Sequence, residues 1–396
     1  MLAVKKITIS QTTVIVAEIK SVVTPLKYFF FFILFILLAA FLTAQSLIPI
    51  DKKASSETVN LYNNLKKISE KGFLFGHQDD LAYGVNWKYE PGRSDIKDVT
   101  GEYPAIYGWE LGHLEVDSAQ NLDNVPFDKM KVFIREGYER GGVITISWHF
   151  NNPLTGKSAW DPAPGTVSSI LPGGSRHDLY KTWLDKLALF LLDLKGKKGE
   201  FIPVIFRPFH ELNGNWFWWG KAHCKPDELK QIYQFTVAYL RDSKNIHHLL
   251  YAFNTDRFAS RDEYLERYPG DDWVDVIGFD IYQRGKDNEG FITEVDKSLT
   301  ILEELGREKN KIIALTEFGY GELPDSMWWT GTLLKAIGDH KLAYILGWRN
   351  AGRSPSGKYE YYVPYKGHAS SEDFVKFYNA GNTYFQKDVA REKVYR

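Results

Sequence analysis

A single cysteine, Cys224, is all that these 396 residues contain. No disulfide can therefore form within the chain, and neither a thiolate zinc site nor an iron–sulfur cluster can be assembled. An excess of one charge is missing too: 49 Lys and Arg face 50 Asp and Glu, which leaves no electrostatic footprint for nucleic acid or an anionic surface. No G-x-S-x-G occurs, so the strained elbow of a serine hydrolase is absent. His210-Glu211 opens like the helical zinc-protease motif, but Gly214 stands where the second histidine belongs. Gly319-Tyr320-Gly321 is half of a dinucleotide fingerprint, and Pro324 takes the place of its third glycine. There is no low-complexity tail and no clear linker.

Long apolar runs are scarce as well. The stretch from Tyr28 to Leu42 carries no charge, follows a segment with Lys5, Lys6, Lys20 and Lys27, and leads into Leu42-Thr43-Ala44. This is the pattern of a signal peptide over residues 1–44, with an n-region 1–27, an apolar core 28–42 and cleavage near Ala44. The run is shorter than the ~18 residues that favour a spanning helix; an uncleaved anchor is the alternative. No cysteine follows it, which argues against a lipoprotein. The expectation is a secreted, periplasmic or cell-surface protein, acting as a monomer.

Aromatic residues are abundant at 15%, with 12 Trp and 23 Tyr. Trp and Tyr combine an apolar face with a polar handle, so part of this surplus points to a ligand. Eight short apolar runs, each ending in polar or aromatic residues, recur along the chain: Phe73–Phe75, Ala105–Tyr107, Val143–Ile146, Ile202–Phe206, Leu249–Phe253, Val274–Phe279, Ile312–Leu315 and Ala343–Leu346. Helix-period stripes fill several intervals, such as Trp183, Leu184, Leu187, Ala188 and Leu191, or Ile292, Val295, Leu299 and Leu302. Continuous apolar strands alternating with amphipathic helices mean a parallel sheet covered by helices. Eight of them predict an α/β fold, a (β/α)8 TIM barrel, as one domain over residues 56–390. An open doubly wound sheet is the alternative, but it would need a Gly-rich first turn.

In such a barrel the residues just past each strand share one mouth. That rule gathers His77, Trp109, Glu110, His149, His210, Glu211, Asn254, Asp280, Tyr282, Glu317, Trp348 and Arg349. Glu211 and Glu317, after strands four and seven, form the pair that glycosidic cleavage requires: one acid to protonate the departing oxygen, one carboxylate across the anomeric carbon. Glu110 and Asp280 are expected to hold loops, and His247-His248, before strand five, to lie at the opposite, structural end. The long interval Asn151 to Asp178, with Trp160 in it, reads as a loop lining the site.

The segments R-P-F-H-E-L-N-G-N-W-F-W-W-G (207–220), L-T-E-F-G (315–319), I-S-W-H-F (146–150) and G-W-R-N (347–350) resemble glycoside hydrolase family 26, best known for β-mannanases. The resemblance covers most of residues 56–390. It implies a retaining endo-β-1,4-mannanase acting on mannan, glucomannan or galactomannan without a cofactor or metal, with Glu211 as general acid/base and Glu317 as nucleophile. It also implies that His210 and Tyr282 hydrogen-bond the nucleophile, that His149 lines the subsite of the reacting sugar, and that Trp216, Trp348 and Trp160 stack on sugars. Arg349 would contact a more distant one. Leu212 stands where methionine is common in the family, a volume-conserving change. Alternatives within the family are a β-glucanase or a β-1,3-xylanase; outside it, an inactive carbohydrate-binding barrel.

Overall fold

The computed structural model describes residues 48–353 and 359–396; the expected signal peptide, residues 1–44, lies outside them. Eight parallel strands run in chain order: β1 (Phe73–Gln78), β2 (Ile106–Glu110), β3 (Val143–Ser147), β4 (Val204–Arg207), β5 (Leu249–Thr255), β6 (Val276–Gln283), β7 (Ile312–Tyr320) and β8 (Tyr344–Gly347). Each pairs with the next, and β8 returns to β1 through Leu74↔Tyr344 to His77↔Gly347. The sheet is thus a closed (β/α)8 barrel, and all eight runs read from the sequence are strands in it.

Period-two alternation sorts the strand residues into two layers. Leu74, Val143, Ile205, Leu250, Ala252, Val276, Ala314 and Leu346 belong to an inner cluster, whereas Phe75, Ile144, Phe206, Tyr251, Phe253, Ile277 and Leu315 pack outward beneath the helices. The helix α1 (Ser56–Ser69) contributes Leu61, Tyr62, Leu65 and Ile68 to the inner cluster and so closes the end where the strands begin. Its start is set by Ser55, whose side chain accepts from the Thr58 N–H, with Glu57 in the first turn. The covering helices include α2 (Phe127–Glu139), α3 (His177–Asp193), α4 (Pro226–Ala238) and α5 (Asn288–Lys309). Proline at the first position of α4, the Asp287 cap of α5 and the left-handed Asn310 that ends α5 are local signals legible in the residues themselves. His248 is buried and stacked on Phe201, while His247 pairs with Asp51, so both serve the bottom of the barrel. Among the described residues, no helix is long and apolar enough to cross a membrane.

Two departures from regular geometry shape the mouth of the barrel. Between Phe279↔Leu315 and Asp280↔Glu317 the β6–β7 register slips by one residue, and the β7–β8 register slips over the same stretch. β7 therefore carries a bulge at Thr316–Glu317, which puts both side chains on the inner face where alternation would admit only one. Past β4, Phe209 and Glu211 adopt positive φ values of 54° and 51°, a left-handed backbone that costs a non-glycine residue free energy and persists only when its surroundings enforce it.

The outer layer closes through Phe75, whose ring lies 5.0–6.4 Å from those of Phe318, Trp329, Phe374, Phe377 and Phe385. Phe75→Ala is expected to lower unfolding free energy by about 3–5 kcal/mol, the usual cost of emptying such a site. Urea titration at neutral pH measures it, and a loss below about 1 kcal/mol would show that this aromatic cluster does not seal the barrel.

Candidate active site

Inward alternation on β4, β5 and β6 brings Arg207, Asn254 and Asp280 to the rim, and the bulge on β7 adds Thr316 and Glu317. All five are buried. Arg207 is their centre. Its Nη1 donates to Asn254 Oδ1 and to Asp280 Oδ2, both at 3.2 Å, and its Nη2 donates to Glu317 Oε1. Asp280 also accepts from Asn254 Nδ2 at 2.7 Å and Thr316 Oγ1 at 2.7 Å. Burial works against the guanidinium's charge, but Glu317 and Asp280 outweigh it and hold Arg207 protonated. Tyr282, two residues beyond Asp280 on the same face, donates its hydroxyl to Glu317 Oε2 at 2.9 Å. Glu317 is thus gripped through both oxygens.

Glu211 stands opposite and is only partly buried. One carboxylate oxygen from each of Glu211, Asp280 and Glu317 lies within 4.8 Å of the others. Burial first, then the charges of Asp280, Glu317 and Asp256, push the Glu211 pKa well above the usual carboxylate range; a hydrogen bond from Trp216 acts in the other direction. That bond runs from Trp216 Nε1 to Glu211 Oε2 at 2.6 Å. The loop carrying both is tied down by its own polar and aromatic side chains. Asn213 accepts from the Asp256 N–H and donates to the Arg257 carbonyl, both at 2.7 Å. Trp219 donates to the His210 carbonyl and Trp218 to the Phe150 carbonyl. Phe217, Trp218 and Trp219 are buried and hold this loop; Trp216 remains 36% exposed.

On the other flank, His149 follows β3. Its Nδ1 meets Glu110 Oε2 at 2.7 Å, and its Nε2 lies 2.8 Å from His210 Nε2. Burial would raise the Glu110 pKa, yet His149, Ser147 and the backbone N–H of His149 together bring it below the usual range. Glu110 therefore holds strand ends together, as its position suggests. Burial, then His149 and Arg207, push the His210 pKa well below the ordinary imidazole value, so His210 is neutral. The expected contact from His210 to Glu317 is not what the side chains make: Nε2 meets His149, Nδ1 is buried without a partner, and Arg207 and Tyr282 grip Glu317 instead. Trp160, 49% exposed, lies parallel to the His149 ring at 5.2 Å and 12°. Trp348, half-buried, lies 6.3 Å from the same ring and tilted by 59° to it.

Glu211, Trp216, Asp256, Tyr282, Trp348 and Tyr362 line one open cavity of about 450 Å3, within the range of ligand pockets. Arg349 is elsewhere. It pairs with Asp123 at 2.9 Å and Glu360 at 3.5 Å, and with Tyr83, Trp87 and Lys88 it lines a second cavity of similar size. Sequence reasoning left Arg207, Asn254 and Thr316 without roles. Counting by twos along β4 and β5 from Ile205 and Leu250 would have turned Arg207 and Asn254 inward; Thr316 and Glu317 together could not follow from counting, because a bulge breaks the count.

Two carboxylates facing each other across an aromatic-walled barrel mouth are the arrangement that glycosidic cleavage uses. The comparisons with known proteins agree. The family model for Glycosyl hydrolase family 26 matches residues 50–357. A mannan endo-1,4-beta-mannosidase of Bifidobacterium adolescentis is 33% identical over 348 residues, which is 83% of this chain and 34% of that protein's length. The chain thus spans about a third of that relative. A GH26 beta-mannanase structure from Bacteroides ovatus superposes with a TM-score of 0.82 at 45% identity, covering 86% of this chain and 98% of that one. The catalytic domain of a GH26 endo-beta-1,4-mannanase from Bacillus sp. JAMB-750 gives 0.81 at 34% identity, covering 88% and 96%. The chain belongs to glycosyl hydrolase family 26.

Removing the central cation should be severe. Arg207→Met strands the buried carboxylates of Asp280 and Glu317, at a cost of about 3–5 kcal/mol near neutral pH. The deficit should narrow as pH falls: burial holds the Asp280 pKa above the usual carboxylate range and Arg207 works to lower it, so without Arg207 the folded variant takes up a proton more readily than the wild type. Urea unfolding of both proteins at pH 7 and pH 5 tests this; an equal deficit at the two pH values would contradict it.

Proposed function

We propose that this chain is a retaining endo-β-1,4-mannanase, exported after loss of residues 1–44. The observation that carries the reading is that one carboxylate oxygen of Glu211 lies within 4.8 Å of one of Glu317 in a family 26 barrel, a close approach of the kind direct attack needs. Retaining glycosidases hold their carboxyl groups roughly 5–5.5 Å apart, whereas inverting ones leave about 6.5–9.5 Å for a water.

In the first step an oxygen of Glu317 attacks the anomeric carbon, the glycosidic C–O bond breaks, and the departing oxygen takes the proton of Glu211. A glycosyl ester on Glu317 results. In the second step water attacks that carbon, gives a proton to Glu211, and releases Glu317 as a carboxylate. The surroundings suit each role: Arg207 and Tyr282 supply donors to the attacking group, while burial and three neighbouring acids keep Glu211 protonated until it is needed. Once Glu317 is esterified its charge is gone, so Glu211 holds a proton less firmly and stands as a carboxylate able to activate water. Trp216 and Trp348 line the cavity and Trp160 stacks on His149; indole faces such as these suit the apolar face of a pyranose. The relatives named as β-mannanases support mannan-type polysaccharide as the substrate.

Glu211→Ala and Glu317→Ala should each lose at least about 100-fold in kcat on mannan, the scale of a general-acid contribution. Azide should rescue Glu317→Ala and yield a product of inverted configuration, read by NMR. Wild-type-like turnover of either variant would sink the assignment. Product analysis on mannan, glucomannan, lichenan and xylan separates the mannanase from a family β-glucanase or β-1,3-xylanase, and polysaccharide binding with no reducing-sugar release would leave only a binding barrel. Export predicts a mature N-terminus at Gln45, checked by N-terminal sequencing.

A further inference from the structure

Resting on the retaining reading, we propose that Trp216 is a positioning residue for proton transfer: its indole N–H claims Oε2 of Glu211, so that Oε1 is the oxygen that gives and takes the proton in both steps.

The two ends of the bond are chemically unlike. The indole Nε1–H is a donor with no acceptor capacity, and it reaches Glu211 Oε2 at 2.6 Å. A proton placed on Oε2 would confront that hydrogen; placed on Oε1 it would not. A side chain such as Tyr or Ser, able to donate or accept, would leave the two oxygens equivalent, whereas Trp216 separates them. The same bond is stronger to a charged carboxylate than to a neutral acid, so it favours the basic form of Glu211 against burial and against the charges facing it. Those charges are Asp280 and Glu317, on β6 and β7, and Asp256, beyond β5. Tyr282 and Arg284 line the same cavity, and Arg207 lies behind on β4. A group that must act as acid and then as base needs such a counterweight, or it would hold its proton too firmly to serve as a base toward water.

The local chain is built to keep the indole there. A Cβ on Gly214 would sit 2.4 Å from two atoms of the Trp216 six-membered ring, so glycine is what lets the ring fold back over the turn. Gly214 itself is fixed, its N–H donating to the Glu211 carbonyl and its own carbonyl accepting from the Lys221 N–H, both at 2.9 Å. Donor and acceptor are thus joined within one short loop, and the bond exists before any sugar arrives.

Two variants break it from opposite sides. Trp216→Phe keeps a ring face but removes the N–H; Gly214→Ala keeps the N–H but displaces the ring. In both, the alkaline limb of the kcat/KM profile on a mannooligosaccharide should move up by about half to one pH unit, the scale of one lost hydrogen bond to a carboxylate. Both should also slow the second step more than the first, seen as a burst of aryl alcohol from an activated aryl β-mannobioside. A role confined to sugar stacking would raise KM and leave the limb in place. An unmoved or lowered limb in folded Trp216→Phe, or in Gly214→Ala if the first variant fails to fold, overturns the inference. Glu211→Gln tells the two levels apart: its inactivity beside an unmoved limb removes only the role of Trp216, whereas wild-type turnover removes the retaining reading itself.

Discussion

The guanidinium of Arg207 is the interaction on which the barrel mouth depends. It is buried and lies between Asp280 and Glu317. Without it, two carboxylates would sit at the end of a parallel barrel with no cation to offset them. With it, each has a directed donor, and Asn254 and Thr316 complete the shell of Asp280. A planar, always-charged fork suits this task because it can face two acceptors at once. Its position is no accident of loops: Arg207 is the last residue of β4, held at an inward phase by the same alternation that buries Ile205. A strand of the barrel thus supplies the charge that faces Glu317.

Both carboxylates proposed for catalysis escape regular geometry. Glu317 is inward only because β7 carries an extra residue at the bulge, and Glu211 reaches the mouth through a turn with two left-handed residues. The neighbours that support them, Arg207, Asn254 and Asp280, keep strict strand phase. Regular elements set the charges and donors, and irregular ones aim the groups that react. The local cost of such backbone is offset by the packing of Phe217, Trp218 and Trp219, which are buried beneath the loop; the two indoles bond to its own His210 carbonyl and to the Phe150 carbonyl beyond β3. A loop of small polar residues would lack the means to keep Glu211 in place.

This division explains what could be read from the residues and what could not. The eight strands were legible because each is a short continuous apolar run buried on both faces, and their ends gathered the mouth residues in one place. Glu211 and Glu317 were legible as a pair because the strand rule and a specific motif agreed. The Tyr282 contact to Glu317 is consistent with its phase on β6. The contact of His210 with Glu317 was expected from the resemblance alone, and no local pattern tests it: the imidazole meets His149 instead. Arg207 was visible in the motif, but its role depends on pairs 73 and 110 residues away, which no local pattern encodes. Arg349 keeps its place at a strand end, yet its partners, Asp123 and Glu360, come from segments whose course composition does not reveal.

The unequal surroundings of the two glutamates carry the functional meaning. They are chemically identical side chains with oxygens within 4.8 Å of each other, so only environment can assign them different work. Glu317 receives a cation on one oxygen and a phenol on the other, the setting of a group that must attack. Glu211 faces acids, has one neutral donor and opens toward solvent, the setting of a group that must exchange protons with a leaving group and then with water. Interchanging the two would place the exchangeable proton against Arg207, where the cation would expel it, and the attacking charge among three acids, where it could not persist. In the proposed mechanism, which glutamate attacks and which exchanges protons therefore follows from where one arginine lies.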